Sequence, residues 1–281
     1  MLIQNIEKKI QELKNKKITN EVIKNYLKEY LQLFILEFLY NHKKYQDLIF
    51  TGGSCLRLCY GLNRLSEDLD LDTLKQIDKK ELSKELKEYF KKTLQYPDLE
   101  ISIKGNEEKI YLKFPILKYL KLSEIGESDK LYVKIEIMKV SKAPFKLEKN
   151  PILQDGFSFF IKNYDLPSLM AGKINAILFR IFFKGEGNKI TSKGRDWYDL
   201  IWYFQKGIKP NLAYLKKITK ISNEKEIFEL LDKRAMNLNL NYFKADIENL
   251  FESKKFIEDF VINFRDLYKK YRKNRENESE L

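Results

Sequence analysis

The sequence predicts an α+β protein, in which an N-terminal α/β domain with a mixed sheet is followed by an all-helical C-terminal domain. Segments in which apolar residues alternate with period two, as in strands, all lie before about residue 165. From about Pro167 onward the apolar residues recur almost entirely at helical spacing. We therefore expect one domain over residues 1–165 and a helical domain over residues 166–281.

The first domain is predicted to begin with two amphipathic helices, over residues 2–16 and 20–43. A short strand then leads into a Gly-Gly-Ser turn, which is followed by a short helix and a strand with alternating aspartates. The remaining elements of this domain are a charged helix and four strands. The predicted ranges after the first two helices are 47–51, 54–60, 69–73, 79–95, 100–104, 109–114, 132–138 and 157–161.

The second domain is predicted to contain helices alone. Their ranges are 167–184, 194–206, 210–221, 223–235, 241–251 and 254–275.

The composition is typical of a globular protein with an excess of basic residues. The 281 residues are 43% hydrophobic and 33% charged, and the net charge is +12. This excess favours polyanionic partners such as nucleic acid, although a generally lysine-rich composition would also produce it. The N-terminus lacks a signal-peptide core, and the most apolar stretch is interrupted by Glu37. We expect a soluble, cytoplasmic protein that does not associate with a membrane.

The Gly-Gly-Ser turn is a candidate phosphate site. Gly52 and Gly53 allow the backbone to approach a ligand closely. Ser54 can cap the predicted helix that follows, and the free N–H groups at a helix N-terminus favour phosphate.

The aspartates that follow are candidate metal ligands. Asp68, Asp70 and Asp72 share one face of the predicted strand, where two carboxylates repel each other unless water or a cation separates them. Glu136, in a later predicted strand, is the third candidate ligand if the two strands pair. A solvent-exposed edge strand would show the same alternation. Because Lys134 shares the face of Glu136, an ordinary cross-strand ion pair is the alternative there.

The helical domain carries a second group of candidate residues. Lys173 lies among apolar residues of a predicted helix and needs an anion, such as a nucleotide triphosphate, unless it extends to solvent. In the segment RDWYDL, Asp196 and Asp199 are three residues apart and share a helix face. Arg195 opens that helix, where a cation does not favour the helix dipole, so we expect it to have another role. Helix capping and an intrahelical ion pair are the simpler explanations for the acids.

Together these motifs resemble the AbiEii-type nucleotidyltransferase toxins, which belong to the DNA polymerase β-like nucleotidyltransferase superfamily. The resemblance covers about residues 48–206. A GGS turn separated by thirteen residues from DLD is typical of the whole superfamily, whereas the lysine-bearing helix followed by an RDxxD motif narrows the resemblance to this family. The segment at 182–194, before RDWYDL, is longer than the family pattern.

The resemblance implies an enzyme that uses Mg²⁺ and a nucleoside triphosphate (NTP). Asp68 and Asp70 would bind Mg²⁺, and Glu136 falls where the superfamily carries its third acid. Lys173 and Asp196 are implied to join Asp68 and Asp70 as catalytic residues. The expected nucleotide-binding residues are Gly52, Gly53, Ser54, Arg57, Ser66, Lys173, Arg195 and Asp199.

The implied function is transfer of a nucleoside monophosphate to the 3′ end of tRNA, which would inhibit translation and growth. The family also implies a toxin–antitoxin, abortive-infection system for phage defence, with a cognate antitoxin that need not form a complex with the toxin. The alternatives are transfer to a small molecule such as an aminoglycoside, transfer to a protein hydroxyl, and a catalytically silent nucleic-acid binder.

Overall fold

The predicted fold class is confirmed by the computed structural model, which describes residues 2–105, 109–180 and 193–277. Among these residues, a seven-stranded mixed sheet with helices is followed by a region that contains helices alone. Most of the long segment before RDWYDL lies outside the described residues. In the described part of the chain, no helix has the length and apolar character needed to cross a membrane.

The chain divides into two compact units. The first, which we call the sheet unit, comprises Met1–Lys142 and Leu147–Asn163. The second, the helical unit, comprises Ala143–Lys146 and Tyr164–Leu281.

Among its described residues, the sheet unit contains four helices and the strands of the sheet. In chain order they are α1 (Leu2–Lys14), α2 (Asn20–Asn41), β1 (Ile49–Thr51), α3 (Gly52–Tyr60), β2 (Asp68–Thr73), α4 (Lys79–Lys92), β3 (Glu100–Lys104), β4 (Lys109–Pro115), β5 (Lys130–Lys139), β6 (Leu147–Gln154) and β7 (Phe157–Tyr164, whose last residue falls in the helical unit).

Strand β2, which carries the alternating aspartates, lies inside the sheet. The strand order is β3-β4-β5-β2-β1-β7-β6, with β2 antiparallel to β1 and parallel to β5. Leu69 and Leu71 are almost fully buried on one face of β2, so the aspartates occupy the other face. The register places Asp70 beside Glu136 of β5. The structure therefore brings the third predicted acid next to the aspartate pair.

Helix α2 supplies much of the core of the sheet unit and packs on β5. Its first turn is capped by Thr19, whose hydroxyl accepts a hydrogen bond from the backbone N–H of Val22. Most of the apolar residues that recur at helical spacing along its length are buried, as the sequence predicts, whereas Tyr26 and Phe38 are partly exposed.

Strand β6 was not predicted, because its sequence does not alternate. It forms one edge of the sheet, and most of its residues are exposed. Ile152 is the buried exception. The strand contains Pro151, which cannot donate a backbone hydrogen bond and is therefore tolerated at an edge.

The helical unit consists, among the described residues, of seven helices and a 3₁₀ turn. They are α5 (Leu166–Phe179), α6 (Gly194–Gln205), α7 (Leu212–Thr219), α8 (Glu224–Met236), α9 (Leu240–Ile247), the 3₁₀ turn (Glu248–Leu250), α10 (Lys254–Ile262) and α11 (Phe264–Asn277).

Helix α6, which contains the RDWYDL segment, is the centre of this unit and packs against α5, α9 and α11. Trp197 of α6 is fully buried and meets the rings of Phe264 and Tyr268 edge-on. The prediction of one helix over residues 254–275 was wrong, because Asn263 separates α10 from α11. No proline or glycine marks this break, and the buried residues keep helical spacing across it.

Candidate active site

The Gly-Gly turn places the carboxylate of Asp70 against the start of helix α3. Gly52 has a left-handed backbone conformation (φ 74°), and a Cβ atom at this position would collide with Oδ2 of Asp70. Only glycine allows both the conformation and the close approach. The first residue of the GGS motif thus positions a metal-ligand candidate.

Gly53 packs against two side chains from the loop before β2. A Cβ atom at Gly53 would lie 2.6 Å from Nη2 of Arg64 and 2.9 Å from Oγ of Ser66. Arg64 is 1% exposed, so a buried guanidinium lies directly beside the turn. The sequence does not single out Arg64, because one arginine in a predicted loop has no spacing that distinguishes it from a surface residue.

Ser54 connects the turn to the aspartate strand. Helix α3 begins at Gly52 with Thr51 as its cap residue, so the expectation that Ser54 caps this helix was wrong. The buried hydroxyl of Ser54 instead donates a hydrogen bond to the backbone carbonyl of Asp68. Its contact with phosphate stays a prediction.

Glu29 of α2 holds two predicted nucleotide-binding residues. Its Oε1 accepts hydrogen bonds from the backbone N–H of Ser66 at 2.9 Å and from Nε of Arg57 at 3.0 Å. Gln32, one turn later, donates to the carbonyl of Ser66. Burial raises the pKa of Glu29 despite the opposing charge of Arg57. Glu29 was missed in the sequence because it resembles any charged residue on an amphipathic helix.

An ammonium group lies among the carboxylates of β2 and β5. Lys134 Nζ is 2.9 Å from Oδ2 of Asp68 and 3.3 Å from Oε2 of Glu136. Burial lowers the pKa of Lys134, but the charges of Asp68 and Glu136 outweigh it and the pKa is raised. The cross-strand ion pair that the sequence left as an alternative is therefore present.

The donor set of this face suits Mg²⁺, which prefers carboxylate oxygens. Asp68, Asp70 and Glu136 lie on neighbouring strands with their side chains on the same face. In the part of the chain that the structure describes, no three histidine, cysteine, aspartate or glutamate side chains are gathered closely enough to hold a metal ion. The residues fit the metal in kind, and Lys134 lies between two of them.

In the helical unit, Lys173 pairs with both acids of the RDxxD motif. Its Nζ is 2.7 Å from Oδ1 of Asp196 and 2.8 Å from Oδ2 of Asp199, and its side chain is 10% exposed. The anions that this lysine requires are therefore carboxylates of its own unit, and it does not extend into solvent. Arg180, which the sequence does not single out, lies 3.1 Å from Oδ2 of Asp196.

The charges around Asp196 determine its ionisation. Burial raises the pKa of this carboxyl, but Lys173 and Arg180 outweigh burial and lower it to about 2. Asp196 is consequently ionised at neutral pH and is a weak base.

Arg195 connects helices α6 and α9. Its backbone N–H donates to Oδ2 of Asp246 at 2.9 Å, and its guanidinium lies 3.3 Å from Oδ1 of the same residue. Arg195 therefore has a role other than stabilising the dipole of its own helix, as we expected from its position at the start of α6. The predicted nucleotide contact is not tested by this geometry.

A family model described as "Nucleotidyl transferase AbiEii toxin, Type IV TA system" matches residues 35–275. The chain belongs to this family. The predicted resemblance is thereby confirmed, and the protein is a nucleotidyltransferase of a toxin–antitoxin family. AbiEii membership also implies a nucleotide substrate and a cognate antitoxin.

Solved structures share the fold of this AbiEii-family chain. JHP933 from Helicobacter pylori has a TM-score of 0.51 at 18% identity and covers 91% of this chain and 95% of its own. MenT4, the nucleotidyltransferase toxin Rv2826c from Mycobacterium tuberculosis H37Rv, has a TM-score of 0.52 at 16% identity, with 88% and 84% covered. A putative nucleotidyltransferase from H. pylori has a TM-score of 0.51 at 17% identity, with 90% and 96% covered. No curated protein matches the sequence.

Proposed function

We propose that this AbiEii-family toxin uses Mg²⁺ to transfer a nucleoside monophosphate from an NTP to the 3′ end of tRNA. The observation that carries this proposal is the carboxylate of Asp70, held against the glycine turn that opens α3 and beside Glu136. This arrangement brings the proposed carboxylate metal ligands to a helix N-terminus, whose N–H groups favour phosphate. Blocked translation would arrest growth, and phage defence with a cognate antitoxin is the proposed setting.

In the sheet unit, Asp68, Asp70 and Glu136 would hold Mg²⁺. The metal, when bound, supplies positive charge to the phosphates at the reacting phosphorus. The backbone at Gly52 and Gly53 would bind phosphate oxygens. An acceptor hydroxyl would attack the α-phosphorus and release its proton to water, the bond from the α-phosphorus to the oxygen of the β-phosphate would break, and pyrophosphate would leave.

In the helical unit, Lys173 would contact the phosphates and offset their charge. Asp196, with a pKa of about 2, is a poor proton acceptor, so we assign it and Asp199 to holding Lys173 in position. Arg180 would share this role through its ion pair with Asp196. Arg57, Ser66 and Arg195 stay proposed nucleotide contacts.

A group of exposed lysines favours RNA as the acceptor. Residues 200–223 contain five lysines and no acidic residue, and we call these lysines the lysine face. Its members are exposed: Lys206, Lys209, Lys216, Lys217 and Lys220. Such a surface attracts the phosphate backbone of RNA and repels a cationic acceptor such as an aminoglycoside.

The test is incubation with each α-labelled NTP, Mg²⁺ and total tRNA. We expect label in tRNA, no transfer in EDTA, and at least a hundredfold loss of rate in Asp70→Asn and in Lys173→Met. Asp72→Asn is the matched control, since Asp72 shares the face of β2 but is not proposed to bind metal. Undiminished transfer by Asp70→Asn would refute the proposed site, and label in protein or in an aminoglycoside instead of tRNA would refute the acceptor.

A further inference from the structure

Lys134 is part of the same strand face as the proposed metal ligands. The parallel register of β2 and β5 sets Asp68 beside Lys134 and Asp70 beside Glu136. The ammonium of Lys134 contacts one oxygen of Asp68 and one of Glu136, at 2.9 and 3.3 Å. The three side chains are 21–34% exposed, so water screens these charges only partly.

Three carboxylates on one partly buried face repel one another unless a cation lies among them. Lys134 supplies one positive charge to the oxygen atoms that a divalent ion would use. A metal ion at Asp68 and Glu136 would meet the ammonium at a distance of a few ångströms. The metal and Lys134 therefore compete for the same oxygens.

We propose that Lys134 is an internal counter-ion, which offsets part of the negative charge of Asp68 and Glu136 in the nucleotide-free toxin and must move away when the metal binds. This proposal rests on the proposed function, because that function assigns the metal to these carboxylates. Lys134 weakens metal binding to the free protein. It also keeps the carboxylate face stable in the absence of metal.

Lys109 of β4 is the natural comparison. It is beside Glu136 in the antiparallel register of β4 and β5. Its Nζ is 4.0 Å from the same Oε2, and its side chain is 38% exposed. Lys109 has the same charge as Lys134, but among the described residues its carboxylate partner is Glu136 alone, at a longer distance. Its removal is therefore expected to change metal affinity much less.

The experiment is a titration of nucleotide-free full-length protein with Mn²⁺. Binding is measured from the electron paramagnetic resonance signal of the free ion. We expect Lys134→Met to bind Mn²⁺ roughly tenfold more tightly than the wild type. Lys134→Arg keeps the charge, and Lys109→Met removes the distant one, so both should stay within about threefold of the wild type. In EDTA, Lys134→Met should melt at a lower temperature than the wild type and recover more when Mn²⁺ is added.

Unchanged or weaker Mn²⁺ binding by Lys134→Met overturns the proposal, as does tight binding that survives Asp68→Asn in the Lys134→Met background. If Lys134→Met does not fold, Lys134→Gln provides the same comparison with a polar side chain. The transfer assay separates the counter-ion role of Lys134 from the proposed transfer to tRNA. Mg²⁺-dependent transfer by the wild type with unchanged Mn²⁺ affinity in Lys134→Met would refute only the counter-ion. Mn²⁺ affinity that rises as expected, without transfer to tRNA, would refute only the acceptor.

Discussion

At the scale of single residues, Gly52 determines where Asp70 lies. Gly52→Ala would add a methyl group into the carboxylate of Asp70 at a backbone conformation that side chains disfavour. A displacement of about 1 Å at a reacting group costs roughly a hundredfold in rate. We therefore predict that Gly52→Ala lowers nucleotidyl transfer about a hundredfold, measured as the single-turnover rate at saturating NTP.

Gly61 provides the matched control, because it has the same φ of 74° at the end of α3 and nothing lies within 4 Å of a Cβ there. Gly61→Ala should suffer the same left-handed backbone strain as Gly52→Ala, a loss of roughly 1–2 kcal/mol in stability. Its transfer rate should nevertheless equal that of the wild type. Equal rates in the two variants would mean that Gly52 does not position Asp70.

The candidate residues that the sequence singles out are positioned by local secondary structure, whereas those it does not single out are positioned by tertiary packing. Asp68 and Asp70 are recognisable because a strand fixes their separation, and Asp196 and Asp199 because a helix turn does. Glu29 and Arg64 come to the site through tertiary packing, at sequence distances that no local rule predicts. The pairing of Lys173 with the RDxxD acids is also tertiary, although its burial among apolar residues signalled a need for an anion.

At the scale of elements, the contact between α6 and α9 sets the position of the RDxxD motif. A Cβ atom at Gly194, the first residue of α6, would lie 2.8 Å from the backbone oxygen of Phe243 in α9. Backbone cannot move aside as a flexible side chain can. We predict that Gly194→Ala destabilises the protein by about 1–3 kcal/mol, measured by urea unfolding, because the two helices must separate.

Gly172 of α5 is the control for this prediction. It lies in a helix interior next to Lys173, and nothing is within 4 Å of a Cβ there. Gly172→Ala should be neutral or stabilising by up to about 1 kcal/mol, since alanine favours the helix. If both variants have the same stability, the α6–α9 contact does not require glycine.

Helix α4 and strands β2 and β4 could be predicted from the sequence because each buries one regular face. The two errors among the elements have physical causes. Strand β6 forms an edge and leaves most of its residues exposed, so burial imposes no alternation on its sequence. The break at Asn263 leaves Ile257, Phe260 and Phe264 on the buried face, so the hydrophobic pattern continues across it.

At the scale of the whole molecule, the net charge of +12 is uneven along the chain. Most lysines of the sheet unit have acidic neighbours in the sequence, whereas the segment 200–223 has none. The lysines near the end of α7 also favour its helix dipole, which is a structural reason for their position. Stability measurements on the variants below separate that role from RNA binding.

We predict that the triple variant Lys216→Gln, Lys217→Gln and Lys220→Gln binds tRNA more weakly and less salt-dependently than the wild type. Each lysine that contacts a phosphate releases counterions, so removing three should reduce the slope of log affinity against log salt by about 2. The measurement is filter binding without NTP at several salt concentrations.

The control is a triple variant with the same loss of charge at lysines that pair with acids: Lys92→Gln, Lys225→Gln and Lys244→Gln. If only net charge attracts RNA, the two triple variants will weaken binding equally and the lysine face has no special role. If the lysine face contacts the phosphates, its variant alone reduces the slope, because the control removes the same charge outside the lysine face. A matching loss of transfer to tRNA, at unchanged melting temperature, would connect this surface to the acceptor in the reaction.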